Sequence, residues 1–142
     1  MPDVLPLSAP EAGDAIALWE AAGLTRPWNS PRADFDRAIA GPDSAVVGIR
    51  AAAALIGAAM VGHDGHRGWM YYLAVAQEHR HQGLGRALVA AAEEWIDARG
   101  IVKAQLMVRA DNAGAFGFYR ALGYEVQHVA VLGRRLDGGA DR

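Results

Sequence analysis

The run Tyr72-Leu-Ala-Val-Ala-Gln-Glu-His-Arg-His-Gln-Gly-Leu-Gly-Arg-Ala-Leu88 constrains the fold more tightly than any other part of the chain. Apolar residues up to Val75 read as a buried strand, and Ala76 to His79 as a polar spacer. A helix follows, with Gly83 and Gly85 in its first turn. A helix start leaves backbone N–H groups unpaired and carries partial positive charge, so it can hold an anion. Glycines allow a ligand close to the main chain, and Arg80 and Arg86 add charges that suit phosphate. Strand, glycine turn and helix in that order point to an α/β chain with an anion site at one strand end.

Three other readings of the glycines compete. A dinucleotide fold places them directly after the first strand, with an acidic residue about 20 residues on. Here a spacer intervenes, and the later position holds Ile101, Val102 and Lys103. A nucleotide-hydrolase phosphate loop needs Gly-Lys-Ser/Thr, and Lys103 is the only lysine in the chain. Two incidental glycines at a helix start are the third.

The 142 residues are read as one domain, 1–142, long enough to bury a core. A net charge of −2 gives no general basic field for nucleic acid, so an anion site must be local. There is no cysteine, which excludes disulfides, thiolate nucleophiles and cysteine-based metal sites. The first residues lack the basic and apolar segments of a signal peptide. The most apolar run, Ala51 to Val61, is too short to span a bilayer. The expected location is the cytoplasm, with no membrane partner. One lysine against many arginines, with abundant alanine, fits a GC-rich bacterial genome.

Along the chain, Val4-Leu5 reads as a short strand and Ser8-Ala-Pro-Glu11 as a capping box opening a helix that ends near Gly23. Ser30-Pro31 opens a second helix, closed by Gly41-Pro42. Ala45–Ile49, Leu55–Val61 and Trp69–Val75 read as strands, the last two joined by a turn at Asp64-Gly65. The helix after the glycine loop stops at Gly100. Ala104–Val108 reads as a strand, Asn112–Leu122 as a helix, and Tyr124–Leu136 as one or two final strands.

Two motifs, Arg80-x-x-Gly83-x-Gly85 after Leu73-Ala-Val75 and Asn112-x-x-Ala115-x-x-x-Tyr119 before Leu122-Gly123-Tyr124, resemble the signatures of the GNAT superfamily of N-acetyltransferases. The order βααβββαβαβ resembles the same fold over nearly the whole chain. That resemblance implies a mixed, mostly antiparallel sheet of six to seven strands flanked by four helices and splayed between strands four and five.

It also implies acetyl-CoA as co-substrate, with no metal, and an amine as acceptor. Leu73 and Val75 would pair with pantetheine amides through their main chains, with Ala74 also among the cofactor-binding residues and a backbone N–H near Val75 polarising the acetyl carbonyl. Arg80, His81, Gln82, Gly83, Leu84, Gly85 and Arg86 would hold the pyrophosphate. Asn112 would contact the pantetheine arm, or simply cap its helix. Tyr119 would protonate the departing thiolate, unless it is only a core aromatic. Transfer would be direct, without an acyl-enzyme.

The positions where many members carry a basic carboxylate are Tyr71 and Met107. An α-amine of pKa about 8 is roughly a tenth neutral at pH 7, whereas a lysine amine is about a thousandth neutral or less. A primary α-amine or other low-pKa amine, of a small molecule, a peptide or a protein, is therefore the easier acceptor, unless a water chain relays the proton. The missing carboxylates also leave open a non-catalytic acyl-CoA-binding or sensing domain. A nicotinamide-dependent oxidoreductase is more distant.

Leu18–Asn29 and Gly62-His-Asp-Gly-His-Arg-Gly68 look like the YpeA-like bacterial subgroup of this superfamily. Between the first two helices, Arg26 could hold a carboxylate and Trp28 could form a pocket wall. Tyr71 is expected to join them, because strand alternation would give it the side of Leu73. A packed tryptophan and a solvated arginine explain the same loop. His63, Asp64 and His66 read as a polar hairpin turn rather than metal ligands. A homodimer is compatible with this reading.

Overall fold

The computed structural model describes residues 2–140. They form two compact units that divide between Leu106 and Met107.

In the first unit, β1 (Leu5–Pro6), β2 (Ser44–Ala51), β3 (Ala54–His63), β4 (Gly68–Val75) and β5 (Ala104–Leu106) make one five-stranded sheet. The strands lie in sequence order; the first four pair antiparallel, and β4 pairs with β5 in parallel. Two helices, α1 (Ala12–Ala21) and α2 (Pro31–Ala40), connect β1 to β2, and α3 (Leu84–Asp97) connects β4 to β5.

Both faces of the sheet are covered, which is why β2 and β3 are apolar nearly throughout. On one face Ala12, Ala15 and Trp19 of α1, with Phe35 and Ala38 of α2, pack on Val46, Leu55, Ala58 and Ala74. On the other, Leu84, Ala87 and Leu88 of α3 pack on Val47, Ile49, Ile56 and Ala59, with Leu73 and Val75 against them. Capping is local and as expected. Ser8 and Glu11 form a capping box, here over a 3-10 turn that leads into α1. Ser30 Oγ accepts from Ala33 N at 3.1 Å, and Pro31 fills the first position of α2. At the start of β4, a Cβ on Gly68 would lie 2.5–2.6 Å from side-chain atoms of Ile96. Glycine there lets α3 seat directly on the strand.

The second unit contains α4 (Ala113–Ala121). The one or two strands expected within Tyr124–Leu136 do not form, so the described sheet has five strands rather than six or seven. Val126, Val129, Val131, Leu132 and Leu136 are exposed. Their spacing explains this: the step from Val126 to Val129 breaks the period of two, so no single face gathers the apolar residues. The fifth strand is also shorter than expected, ending at Leu106 instead of Val108. No helix among the described residues is long and apolar enough to cross a membrane.

Candidate active site

Beyond Met70, β4 leaves its parallel partner. Pairing with β5 covers Gly68–Met70 alone, and Tyr71 to Val75 run on without a β5 partner among the described residues. Leu73 and Val75, which alternate with Ala74 along the strand, thus have no β5 partner on that edge, while Ala74 pairs with Ala58 of β3.

The other edge of β4 is irregular. Ala58 pairs with Ala74 and Met60 with Tyr71, so Tyr72 and Leu73 together oppose Ala59. This is a β-bulge, and Tyr72 sits in it at a φ of +55°. A left-handed backbone at a bulky residue costs about 1–3 kcal/mol and persists only when its surroundings fix it. Two contacts fix Tyr72. Its ring stacks on Trp19 with centroids 4.4 Å apart, and its hydroxyl donates to Asp34 Oδ2 at 2.7 Å. Burial, then the hydrogen bond to Asp34, pushes the Tyr72 hydroxyl well above the usual tyrosine range.

The bulge overturns the alternation argument for Tyr71. Its register partner Met60 packs with the α1–α2 cluster, whereas Leu73 packs with the α3 cluster. Tyr71 is 41% exposed and belongs to the α1–α2 face, the face that also carries the connection holding Arg26 and Trp28. Tyr71 therefore does not share the side of Leu73, contrary to what strand alternation predicts.

Strand β4 ends where Ala76 N donates to Ile56 O at 2.8 Å, and a 3-10 turn over Gln77–His79 follows. His81 then adopts φ +62° and Gly83 φ +78° before α3 begins. The first bond into the helix runs from Ala87 N to Gly83 O, so the N–H groups of Gly83, Leu84, Gly85 and Arg86 have no partner within the helix. No acidic residue lies in this first turn. Leu84 is buried and anchors the start, while Arg80, His81, Gln82, Gly83 and Arg86 are exposed. The result is a fixed row of donors with two guanidinium groups beside it, suited to a polyanion. A groove of about 480 Å³ adjoins the loop, lined among others by Leu18, Ala21, Val75, Glu78 and Arg80.

On the acceptor side, Arg26 is partly committed. Its Nη1 donates to the Gly23 and Thr25 carbonyls at 2.7 and 2.8 Å, stapling the end of α1. Trp28 is half-buried. The residue that sequence reasoning missed is Asp34. It lies two positions before Asp36, which forms an ordinary surface pair with Arg32 at 3.1 Å. Nothing in the local sequence tells the two carboxylates apart; only the contact with Tyr72, 38 residues on, does so.

In the second unit, Asn112 caps α4, its Oδ1 accepting from Ala115 N at 3.0 Å. Its amide nitrogen remains available as a donor. Tyr119 is half-buried, edge-on to Phe118 at 4.9 Å and to Tyr124 at 5.8 Å. Burial pushes its hydroxyl above the usual tyrosine range, so it stays protonated at neutral pH. Gly123, at φ +93°, closes the helix, and Tyr124 N donates back to Tyr119 O at 3.0 Å.

The β3–β4 turn is held largely by its own residues, with His63 also meeting Asp43 at 3.4 Å and the Trp95 ring. Asp64 Oδ1 accepts from Arg67 N and His66 N at 2.7 and 2.9 Å, which lowers its carboxyl to about 2. His63 Nδ1 accepts from Gly65 N at 3.0 Å. No group of three or more potential metal ligands occurs among the described residues.

Residues 14–124 match the family model described as Acetyltransferase (GNAT) family. An acetyltransferase of Yersinia enterocolitica is 40% identical over 123 residues, covering 87% of both chains. An acetyltransferase of Pectobacterium atrosepticum is 40% identical over 121 residues, 85% of this chain and 86% of that one. Among solved structures, AAC(6')-Iy in complex with the bisubstrate analog CoA-S-monomethyl-acetylneamine aligns with a TM-score of 0.81. It is 17% identical, over 95% of this chain and 98% of that one. The ribosomal-protein-S18-alanine N-acetyltransferase of Escherichia coli aligns with a TM-score of 0.71 at 22% identity, over 87% and 77%. These structural likenesses establish the fold.

Proposed function

Because the chain belongs to the GNAT acetyltransferase family, and is an acetyl-CoA-dependent N-acetyltransferase, we propose that it transfers the acetyl group directly to a primary amine, of a small molecule or the α-amine of a peptide or protein. The start of α3 carries the co-substrate half of this reading: a left-handed Gly83, unpaired N–H groups and no acidic side chain in the first turn. Arg80 and the N–H groups from about Gln82 to Arg86 bind the pyrophosphate. Leu73 and Val75 pair through their main chains with the pantetheine amides, with Ala74 between them at the co-substrate, and a backbone N–H near Val75 polarises the acetyl carbonyl. Asn112 contacts the pantetheine arm through its amide nitrogen. Tyr119 donates its proton to the departing thiolate, a role supported by its being a phenol that stays protonated at neutral pH.

Arg26, Trp28 and Tyr71 form the acceptor pocket, which is supported by their shared face of the sheet. The solved neighbours with amine acceptors in their titles include an aminoglycoside enzyme and an alanine N-acetyltransferase. At their level of identity neither selects an acceptor here. The preference for an α-amine rests instead on its larger neutral fraction at pH 7. The two units act as one catalytic domain, supported by a family match that runs across both. The cytoplasm, where acetyl-CoA is made, is the proposed location.

The test is an initial-rate study of thiol release from acetyl-CoA with a panel of primary amines. Direct transfer in a ternary complex gives intersecting double-reciprocal lines for acetyl-CoA and the α-amine. Parallel lines would mean an acyl-enzyme and would overturn direct transfer.

A further inference from the structure

The carboxylate missing from positions 71 and 107 has a counterpart elsewhere on the acceptor face. Asp34 reaches from the first turn of α2 to the bulged segment of β4, where its Oδ2 accepts from the Tyr72 hydroxyl at 2.7 Å. Its other oxygen has no hydrogen-bond partner among the described residues. A phenol that donates to a carboxylate still has lone pairs with which to accept. Tyr72 is the residue immediately before Leu73 to Val75, which run on past the β5 pairing, and its ring packs with the α1–α2 cluster. The strain at Tyr72 is consistent with that placement. A left-handed tyrosine in a bulge, held by a stacked tryptophan and a carboxylate, is a costly way merely to fill a core.

We propose that Tyr72 and Asp34 relay the proton that the acceptor ammonium must lose before it can attack. The inference rests on the acceptor reading above, because it requires an amine on the α1–α2 face.

The relay balances as follows. The ammonium donates a proton to Tyr72 Oη as the Tyr72 proton passes to Asp34 Oδ2. Tyr72 is therefore neutral before and after, and its resistance to ionisation is no obstacle. The neutral amine forms the C–N bond as the C–S bond breaks. The second nitrogen proton is matched by the proton gained at the thiolate, and Asp34 returns its proton to water. In this scheme Tyr72 is the catalytic residue and Asp34 the positioning residue that acts through it.

Two acceptors test the relay: an ammonium acceptor chosen from alanyl peptide amides, alkylamines and aminoglycosides, and hydroxylamine, which is uncharged at neutral pH. Asp34→Asn keeps an oxygen for the Tyr72 hydroxyl and so disturbs packing least. It should lower kcat/KM for the ammonium acceptor by about 10²–10³-fold, the ordinary range for loss of acid–base assistance. The hydroxylamine rate should change less than about threefold, since no proton need leave before attack. Tyr72→Phe should show the same split, and Asp34→Glu should recover part of the loss.

Equal losses on both acceptors in Asp34→Asn would make the pair a packing device and overturn the relay, as would an unchanged rate on the ammonium acceptor. If the wild-type protein acetylates no ammonium acceptor while still binding coenzyme A, the acceptor reading falls and the relay falls with it. If the wild type acetylates one and the split is absent, the relay alone falls.

Discussion

The two sides of β4 are built from different materials. Toward α3, the site is main chain: an unpaired strand edge and a row of helix N–H groups, given their shape by Gly83 and a buried Leu84. Toward α1 and α2, the proposed acceptor site is side chains, with Trp19, Arg26, Trp28, Asp34, Tyr71 and Tyr72 drawn from three separate elements and a connection. Main-chain sites constrain which residues can stand in one continuous stretch, because only glycine tolerates certain backbone angles or close approach. Side-chain sites leave no such footprint. They are defined by contacts between residues far apart in the chain.

If that contrast is right, the largest effect should come from a single intrusion into the main-chain site. Gly85→Glu places a carboxylate among the N–H groups proposed to hold phosphate. Charge-assisted bonds are worth about 1.5–3 kcal/mol each, so losing two should weaken coenzyme A at least a hundredfold by calorimetry. Unchanged affinity in a folded Gly85→Glu protein would mean that the start of α3 is not the pyrophosphate site.

Tyr119→Phe comes next and asks a kinetic question. It keeps the ring that packs edge-on to Phe118 and Tyr124 and removes only the hydroxyl. Turnover should fall toward the lower end of the 10²–10⁴-fold range, since a thiolate leaves readily, while coenzyme A affinity holds. A wild-type turnover number would return Tyr119 to packing.

These expectations differ in how early they could be read. The glycine loop, the capping box at Ser8 and Glu11, the Ser30 cap and the five strands, apart from their exact ends, were legible because each depends on neighbours within a few residues. The bulge was not. It arises from a one-residue mismatch between β3 and β4, and neither strand shows it alone. Asp34 was hidden for the same reason, since it resembles Asp36 until Tyr72 is placed against it. The expected last strands failed where the apolar pattern slips between Val126 and Val129, a break that is visible in the sequence once periodicity is weighed above composition.

A third experiment separates the frame of the α3 side from its chemistry. In Gly68→Ala the added Cβ would overlap the Ile96 side chain, so α3 must shift or Ile96 must change rotamer. Overpacking of this kind costs about 1–3 kcal/mol, readable by urea unfolding. Adding Ile96→Ala should make the combined loss smaller than the sum of the two single losses. Simple additivity would show that the close approach at Gly68 is not what seats the helix.

The smallest effect should come from Arg26, and it is also the sharpest test of the acceptor side. One of its terminal nitrogens already binds the Gly23 and Thr25 carbonyls, so part of its value is structural. Arg26→Ala should cost about 0.5–1.5 kcal/mol of stability for those exposed bonds. If the remaining donors also hold an acidic group on the acceptor, the Michaelis constant for an acidic acceptor should rise severalfold, with that for acetyl-CoA unchanged. The rise should stay below the 1.5–3 kcal/mol expected of a fully committed charge-assisted bond, because the guanidinium is shared with its own loop. A neutral acceptor serves as the control and should show no rise. Lost stability with both constants unchanged would make Arg26 a staple of the α1–α2 connection, and the acceptor face would then depend on its aromatic and acidic residues alone.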